Sequence, residues 1–231
     1  MKKRNAQTSN PSSETAADGA QAARLEVLEA ARAMSRMGLS PGRSGNISRR
    51  LREGMAITPS GLAYDTLTVE DIVVVGWDGS PAAGQRKPSS EWRFHLDTYL
   101  ARPDAGALVH THSMHATVLA CAHKPIPAFH YMVAIAGGRS IPLVPYATFG
   151  TKALSTHVVK GLQSVNACLM ANHGLIVVGP SCPKALELAA EIEVLAEQYV
   201  KVLSLGKPHL LDDDEMDRVI ALFKGYGQNA Q

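Results

Sequence analysis

Residues 108–116 read LVHTHSMHA, and this short stretch holds three of the chain's nine histidines. Leu108 and Val109 open it with the apolar, β-favouring character of a buried strand. Side chains alternate between faces along a strand, so His110 and His112, separated by one threonine, point to the same side. Two imidazoles on one face can reach a single metal ion. Two hydrogen-bonded structural histidines are the other reading of an isolated pair. The flanks set the fold class. Before the stretch, SSEWRFHLDTYLARP carries apolar residues at Trp92, Leu96, Tyr99 and Leu100, the spacing of a helix, and stops near Pro103. After it, MHATVLACAHK again reads as helix. A strand enclosed by helices is the building unit of an α/β fold.

The same alternation extends in both directions. Ala22 to Met37 reads as an amphipathic helix, with Leu25, Val27 and Leu28 set against Arg24, Glu26, Glu29 and Arg32, and it ends at Gly38. GLSPGRSGNISRR is loop until about Asn46, where a strand begins. GMAITPSG is a short strand entering a turn at Pro59 to Gly61. DIVVVGWDGS is a β-branched run followed by a turn, hence a buried strand and a hairpin. Further strands are expected at Ile141 to Tyr146, Ala167 to Met170 and Leu175 to Val178. A long helix follows from about Pro183 to Leu205, with proline near its first turn. The acidic run Asp212 to Glu215 favours the start of a last helix, which ends near Gly225 or Gly227. No internal repeat is visible. The expectation is one three-layer α/β domain over residues 22–231, preceded by a disordered tail over residues 1–21, where Ser, Thr, Ala and Asn dominate.

Composition narrows the function. The 231 residues are 45% hydrophobic and 19% charged, an ordinary globular balance, and the formal net charge of +2 gives no electrostatic footprint for nucleic acid. No apolar run is long enough to span a membrane, and the basic start lacks the apolar core of a secretory signal. Cys121, Cys168 and Cys182 are odd in number and form no CxxC pair, so they read as small core residues in a reducing cytoplasm.

Two further segments add to the histidine pair. LMANHGLIVVG places His173 between two apolar strands, and PSSEW places Glu91 at or just before a helix start. Three neutral imidazoles and a carboxylate suit Zn²⁺, and a carboxylate is a labile ligand that can also serve as a base. The bland alternatives are a satisfied core histidine and a capping carboxylate. His115 stands outside the strand pairing and is not expected to ligate. SGNIS, TPSG and PSSE are turns of small, hydroxyl-bearing residues whose backbone N–H groups can approach an anion.

Taken together, SGNIS, ITPSG, PSSEWRFH, LVHTHSMHA, IPAFHYM, PYATFGT and NHGLI resemble the class II aldolase/adducin family, in the branch that cleaves short ketose 1-phosphates of the fuculose, 5-deoxyribulose or 5-methylthioribulose type. The resemblance runs from about Leu25 to Gly227. It implies a central, mainly antiparallel sheet flanked by helices, and a C4-type homotetramer acting on a sugar phosphate, with no nucleic-acid or membrane partner. It implies that His110, His112, His173 and Glu91 hold one Zn²⁺, or another divalent transition metal, per subunit, with Glu91 doubling as acid/base. Asn46, Ser60, Gly61, Ser89 and Ser90 match phosphate-holding positions. Tyr131 matches a tyrosine that serves the aldehyde oxygen in a neighbouring subunit's site. Phe149, Phe223 and Tyr226 match the aldehyde end. Arg43 departs from the pattern, standing where the fuculose branch has a smaller hydroxyl-bearing residue; it either pairs with the phosphate or sits in solvent. Two same-fold alternatives are a sugar-phosphate decarboxylase, which keeps the glutamate, and a 4-epimerase, which carries aspartate where Glu91 stands. A non-catalytic adducin-like interaction module would have broken the ligand set, and all four ligands are present.

Overall fold

Period-two patterning in the strands sorts the core into two layers. In β4 (Ala107–Thr111), Ala107 and Val109 pack with one buried cluster, and Leu108 packs with the other. The same division runs through β6 (Ala167–Met170), where Ala167 and Leu169 face one way and Cys168 and Met170 the other. In β7 (Gly174–Gly179), Leu175 and Val177 oppose Ile176 and Val178. A sheet apolar on both faces must be covered on both. The computed structural model describes residues 11–223 and residue 225. In it, α1 (Pro11–Arg36), α3 (Met114–Cys121), α5 (Cys182–Leu205) and α6 (Asp213–Phe223) contribute to the first cluster. On the other face, α2 (Trp92–Ala101) and α4 (Lys152–Gly161) supply Phe94, Leu96, Tyr99, Leu154 and Val158.

The remaining strands are β1 (Asn46–Leu51), β2 (Gly54–Ile57), β3 (Val73–Gly76) and β5 (Leu143–Val144). The order is β3-β2-β1-β4-β7-β6-β5; every neighbouring pair is antiparallel except β5 with β6. The expected three-layer architecture with a mainly antiparallel sheet is the one observed. Among the described residues, no helix is long and apolar enough to cross a membrane.

Local departures have local causes. Helix α1 begins at Pro11 rather than Ala22. Residues 14–21, ETAADGAQ, include three alanines, a glutamate and a glutamine, good helix formers, and proline suits a first helical turn. The boundary expected at residue 21 therefore does not mark the helix start, and residues 1–10 of the expected tail lie outside the described residues. Helix α1 closes with Gly38 N–H donating to Ser35 O and Leu39 N–H to Met34 O, the paired bonds of a Schellman end. Strand β5 keeps only Leu143 and Val144 of the expected six residues, because Pro142 and Pro145 bracket it and neither has an N–H for a ladder. Cys168 and Cys182 are buried as expected, whereas Cys121 is exposed at the end of α3.

Candidate metal centre

Sheet register brings the site together at one end of the sheet. His110 in β4 pairs with Asn46 at the start of β1 and with Ile176 in β7. His112 lies one residue past β4, whose ladder with β7 ends at Thr111 opposite Leu175, so it is not on the strand as expected. Its ring nevertheless returns to the side of His110, with the two Nε2 atoms 3.0 Å apart. His173 sits in the turn between β6 and β7, after Asn172, whose φ of 54° is left-handed. The next residue, Gly174, packs directly on the other ligand segment: a Cβ there would stand 2.4 Å from Thr111 O and 3.1 Å from His112 Cδ2. Only glycine permits that approach. Ligand nitrogens of His110, His112 and His173 all lie within 4.8 Å of one another.

Glu91 caps the N-terminus of α2 in position only, since its side chain makes no capping bond to the helix. The carboxylate turns to the histidines instead. Oε2 lies 3.2 Å from His110 Nε2, and Oε1 lies 3.2 Å from His173 Nε2. Oε1 is buried and makes no hydrogen bond of good geometry, so the short contact with His173 leaves it unsatisfied. Ligand atoms held roughly 2.0–2.1 Å from a tetrahedral zinc stand roughly 3.3 Å from each other, close to these separations.

Protonation supports the same fit. His110 Nδ1–H donates to Leu175 O at 2.9 Å, which turns Nε2 toward the cluster. Burial, reinforced by His110 and His173, pushes the His112 imidazole down to about 3, so it is neutral and ready to ligate. Burial works to raise the Glu91 carboxyl, but His110 and His173 outweigh it and hold the group well below the usual carboxylate range. Ring nitrogens converging beside an anionic carboxylate call for positive charge between them, and this three-histidine cluster suits a divalent metal.

Beside the cluster opens a cavity of about 330 Å³, lined by Glu91, His112 and His173 on one side and by Ser60, Gly61, Ser89, Ser90, Arg43 and Asn46 on the other. Two backbone bonds fasten TPSG to the segment Lys87–Ser89: Ser60 N–H donates to Lys87 O and Ser89 N–H to Thr58 O, both at 3.0 Å. The SGN turn is fixed separately. Gly45 has φ +79°, and a Cβ on it would meet His110 O at 2.6 Å. Tyr64 OH donates to Gly45 O, and burial pushes that phenol well above its ordinary value. Arg43 is exposed and donates from Nη1 to Gly61 O at 3.0 Å, tying two of the three turns together. The Asn46 amide, matched to phosphate by resemblance, is committed to Glu91 and His95.

The aldehyde-end residues divide. Phe149 is exposed and lines the histidine cavity, as does Tyr146, which the sequence reading did not single out. Tyr131 and Phe223 instead line a separate, more apolar cleft between α5, α6 and the 3-10 turn Tyr131–Ala136. Tyr226 lies outside the described residues. His115 pairs with Glu193 at 2.9 Å, away from the cluster. His95 was also missed. Its signal was its place in PSSEWRFH, one helical turn after Glu91 and so on the same face of α2.

Residues 25–200 match the family described as Class II Aldolase and Adducin N-terminal domain. Over 210 residues the chain is 50% identical to a 5-methylthioribulose-1-phosphate/5-deoxyribulose-1-phosphate aldolase of Rhodospirillum rubrum, covering 91% of this chain and 95% of that protein. Over 203 residues it is 46% identical to L-fuculose phosphate aldolase of Escherichia coli (strain K12), covering 87% and 94%. A solved structure of an L-fuculose 1-phosphate aldolase superposes with a TM-score of 0.85 at 37% identity, covering 88% of this chain and 96% of that one.

Proposed function

This chain belongs to the class II aldolase/adducin family, and from that premise we propose that it is a metal-dependent aldolase, a carbon–carbon lyase. It reversibly cleaves a short ketose 1-phosphate of the 5-methylthioribulose, 5-deoxyribulose or fuculose type to dihydroxyacetone phosphate and an aldehyde. The observation that carries this reading is the meeting of three imidazoles and a buried carboxylate beside a cavity walled by serine- and glycine-rich turns.

His110, His112, His173 and Glu91 would hold one Zn²⁺ per subunit, the ion that their nitrogen and oxygen donors favour. When bound, that ion supplies Lewis-acid stabilisation of negative charge developing on the substrate's oxygens. The chain's own groups do the rest. Ser60, Gly61, Ser89 and Ser90, with the N-terminus of α2 and the Arg43 guanidinium, hold the phosphate, and this remote binding orients the reacting carbons. The carboxylate of Glu91 takes the proton from the carbon of dihydroxyacetone phosphate that forms the new bond, and returns it in cleavage. The phenol of Tyr131 gives its proton to the aldehyde oxygen as the bond forms. Tyr131 lines a different cleft from the histidines, which supports its serving the site of a neighbouring subunit in a C4-type homotetramer. Phe149 lies at the aldehyde end, and Phe223, beside Tyr131, would join it there from the neighbouring subunit. Free buried thiols at Cys168 and Cys182 suit a reducing, cytoplasmic setting.

The test is deuterium uptake into dihydroxyacetone phosphate in D₂O, followed by NMR. Exchange at the single carbon that becomes the nucleophile supports the reading. No exchange by the zinc-loaded protein contradicts it.

A further inference from the structure

Behind Glu91 runs a file of buried polar side chains that the proposed reaction does not use. Asn46 Nδ2 donates to Glu91 Oε2 at 3.0 Å. Asn46 Oδ1 meets His95 Nε2; His95 Nδ1 lies 2.7 Å from Ser48 Oγ; and Ser48 Oγ lies 2.9 Å from Tyr99 OH. Asn46 is 3% exposed, Ser48 and His95 0%, and Tyr99 1%. Such groups survive burial only when their hydrogen bonds are made, so the file has a definite sense.

That sense can be worked out from the ends. Burial pushes the His95 imidazole down to about 3, so it is neutral and carries one N–H. Asn46 spends its amide nitrogen on Glu91, so its oxygen faces His95, and the imidazole hydrogen sits on Nε2. Nδ1 must then accept. Ser48 therefore donates its hydroxyl to Nδ1, and Tyr99 donates to Ser48. Every bond points the same way, from Tyr99 to the carboxylate of Glu91, and each donor polarises the next.

We propose that His95 is a positioning residue for Glu91: it locks the Asn46 amide, and through it fixes Oε2 of the carboxylate, while Ser48 and Tyr99 hold the imidazole tautomer. The proposal rests on the reading of Glu91 as the proton-transferring group. Without the Nε2–H donor the Asn46 amide is free to turn, and its oxygen then faces Oε2, acceptor against acceptor. Glu91 would leave the place where it meets both His110 and His173.

The experiment uses the zinc-loaded full chain and four variants, His95→Gln, His95→Asn, Tyr99→Phe and Glu91→Gln. Each is measured for zinc content, deuterium exchange into dihydroxyacetone phosphate, and kcat and KM for ketose 1-phosphate cleavage. The glutamine amide reaches the place of Nε2; the asparagine amide reaches only that of Nδ1. The expected result is that His95→Asn loses kcat and exchange by roughly 10–100-fold with KM little changed, and that His95→Gln recovers most of the loss. Tyr99→Phe, which removes a single hydroxyl and is the variant least able to disturb folding, shows a smaller loss of the same kind. Wild-type kcat in His95→Asn overturns the proposal, as do equal losses in the glutamine and asparagine variants. Glu91→Gln separates the two readings. If it still exchanges deuterium, the base assignment itself falls. If it loses exchange while His95→Asn matches wild type, only the positioning role falls.

Discussion

Asn46 and His110 stand opposite each other across the β1–β4 ladder, and both reach the same carboxylate oxygen: Asn46 Nδ2 lies 3.0 Å and His110 Nε2 3.2 Å from Glu91 Oε2. Strand register therefore sets the geometry of the site. A slip of one residue would turn His110 to the opposite face of the sheet and take the most buried histidine out of the candidate centre.

Removing one imidazole should remove the metal. His112→Ala leaves two histidines and a carboxylate, and is expected to lower zinc content below stoichiometric levels and to abolish ketose 1-phosphate cleavage in parallel. Metal analysis alongside activity checks this; full activity in a metal-free His112→Ala protein would contradict the ligand assignment.

Gly174 sets how closely the turn carrying His173 approaches the segment carrying His112. In Gly174→Ala the new methyl group would press on Thr111 O at 2.4 Å, which is backbone and cannot swing aside. A loss of about 1–3 kcal/mol in unfolding free energy is expected, together with weaker zinc binding. Denaturant unfolding and zinc titration measure the two effects, and an unchanged zinc affinity would show that the turn tolerates displacement.

Much of this was legible in the sequence. The α/β class followed from a strand set between helical patterns, and the four metal-binding candidates followed from residue chemistry and family resemblance. Their convergence did not, because it depends on register: nothing in NHGLI alone says that His173 turns back to meet HTH. The position of His112 just beyond β4 is not legible for a related reason, since the ladder ends where β7 begins and not where the apolar pattern stops. His95 is legible only as a histidine within a helical pattern, because its buried partners Asn46 and Ser48 come from another element. The start of α1 is ambiguous in the sequence because a polar, alanine-containing segment satisfies both helix and tail.

A site completed by a neighbouring subunit can be rebuilt from two broken ones. Neither His112→Ala nor Tyr131→Phe alone should have full activity. Mixed under conditions that exchange subunits, they should regain part of it, because some sites then combine intact histidines with an intact tyrosine. Absence of any gain in a mixture that sizing shows to have exchanged would place Tyr131 outside the shared site.

His95 also makes the metal-free protein acid-sensitive. Burial depresses its folded pKa to about 3 from an ordinary 6.5. Between these values the unfolded chain binds a proton that the native state does not, so the stability contribution is complete above pH 6.5 and is lost as pH falls toward 3. The limiting slope is about 1.4 kcal/mol per pH unit for one proton. Denaturant unfolding of chelator-treated protein from pH 7 to pH 4 should show a shallower loss in His95→Gln than in wild type. Equal slopes would mean that His95 is protonated in the fold, with Nδ1–H donating to Ser48, which would reverse that one bond and break the single sense of the file.

The central claim, metal-dependent cleavage of a ketose 1-phosphate at this centre, is tested most directly by a coupled assay for dihydroxyacetone phosphate release. Fuculose, 5-deoxyribulose and 5-methylthioribulose 1-phosphates are each supplied to the zinc-loaded protein, with and without a chelator. The account predicts release from at least one of them, lost on chelation and restored by zinc. No release from any substrate with zinc present, or release that a chelator leaves untouched, would contradict it.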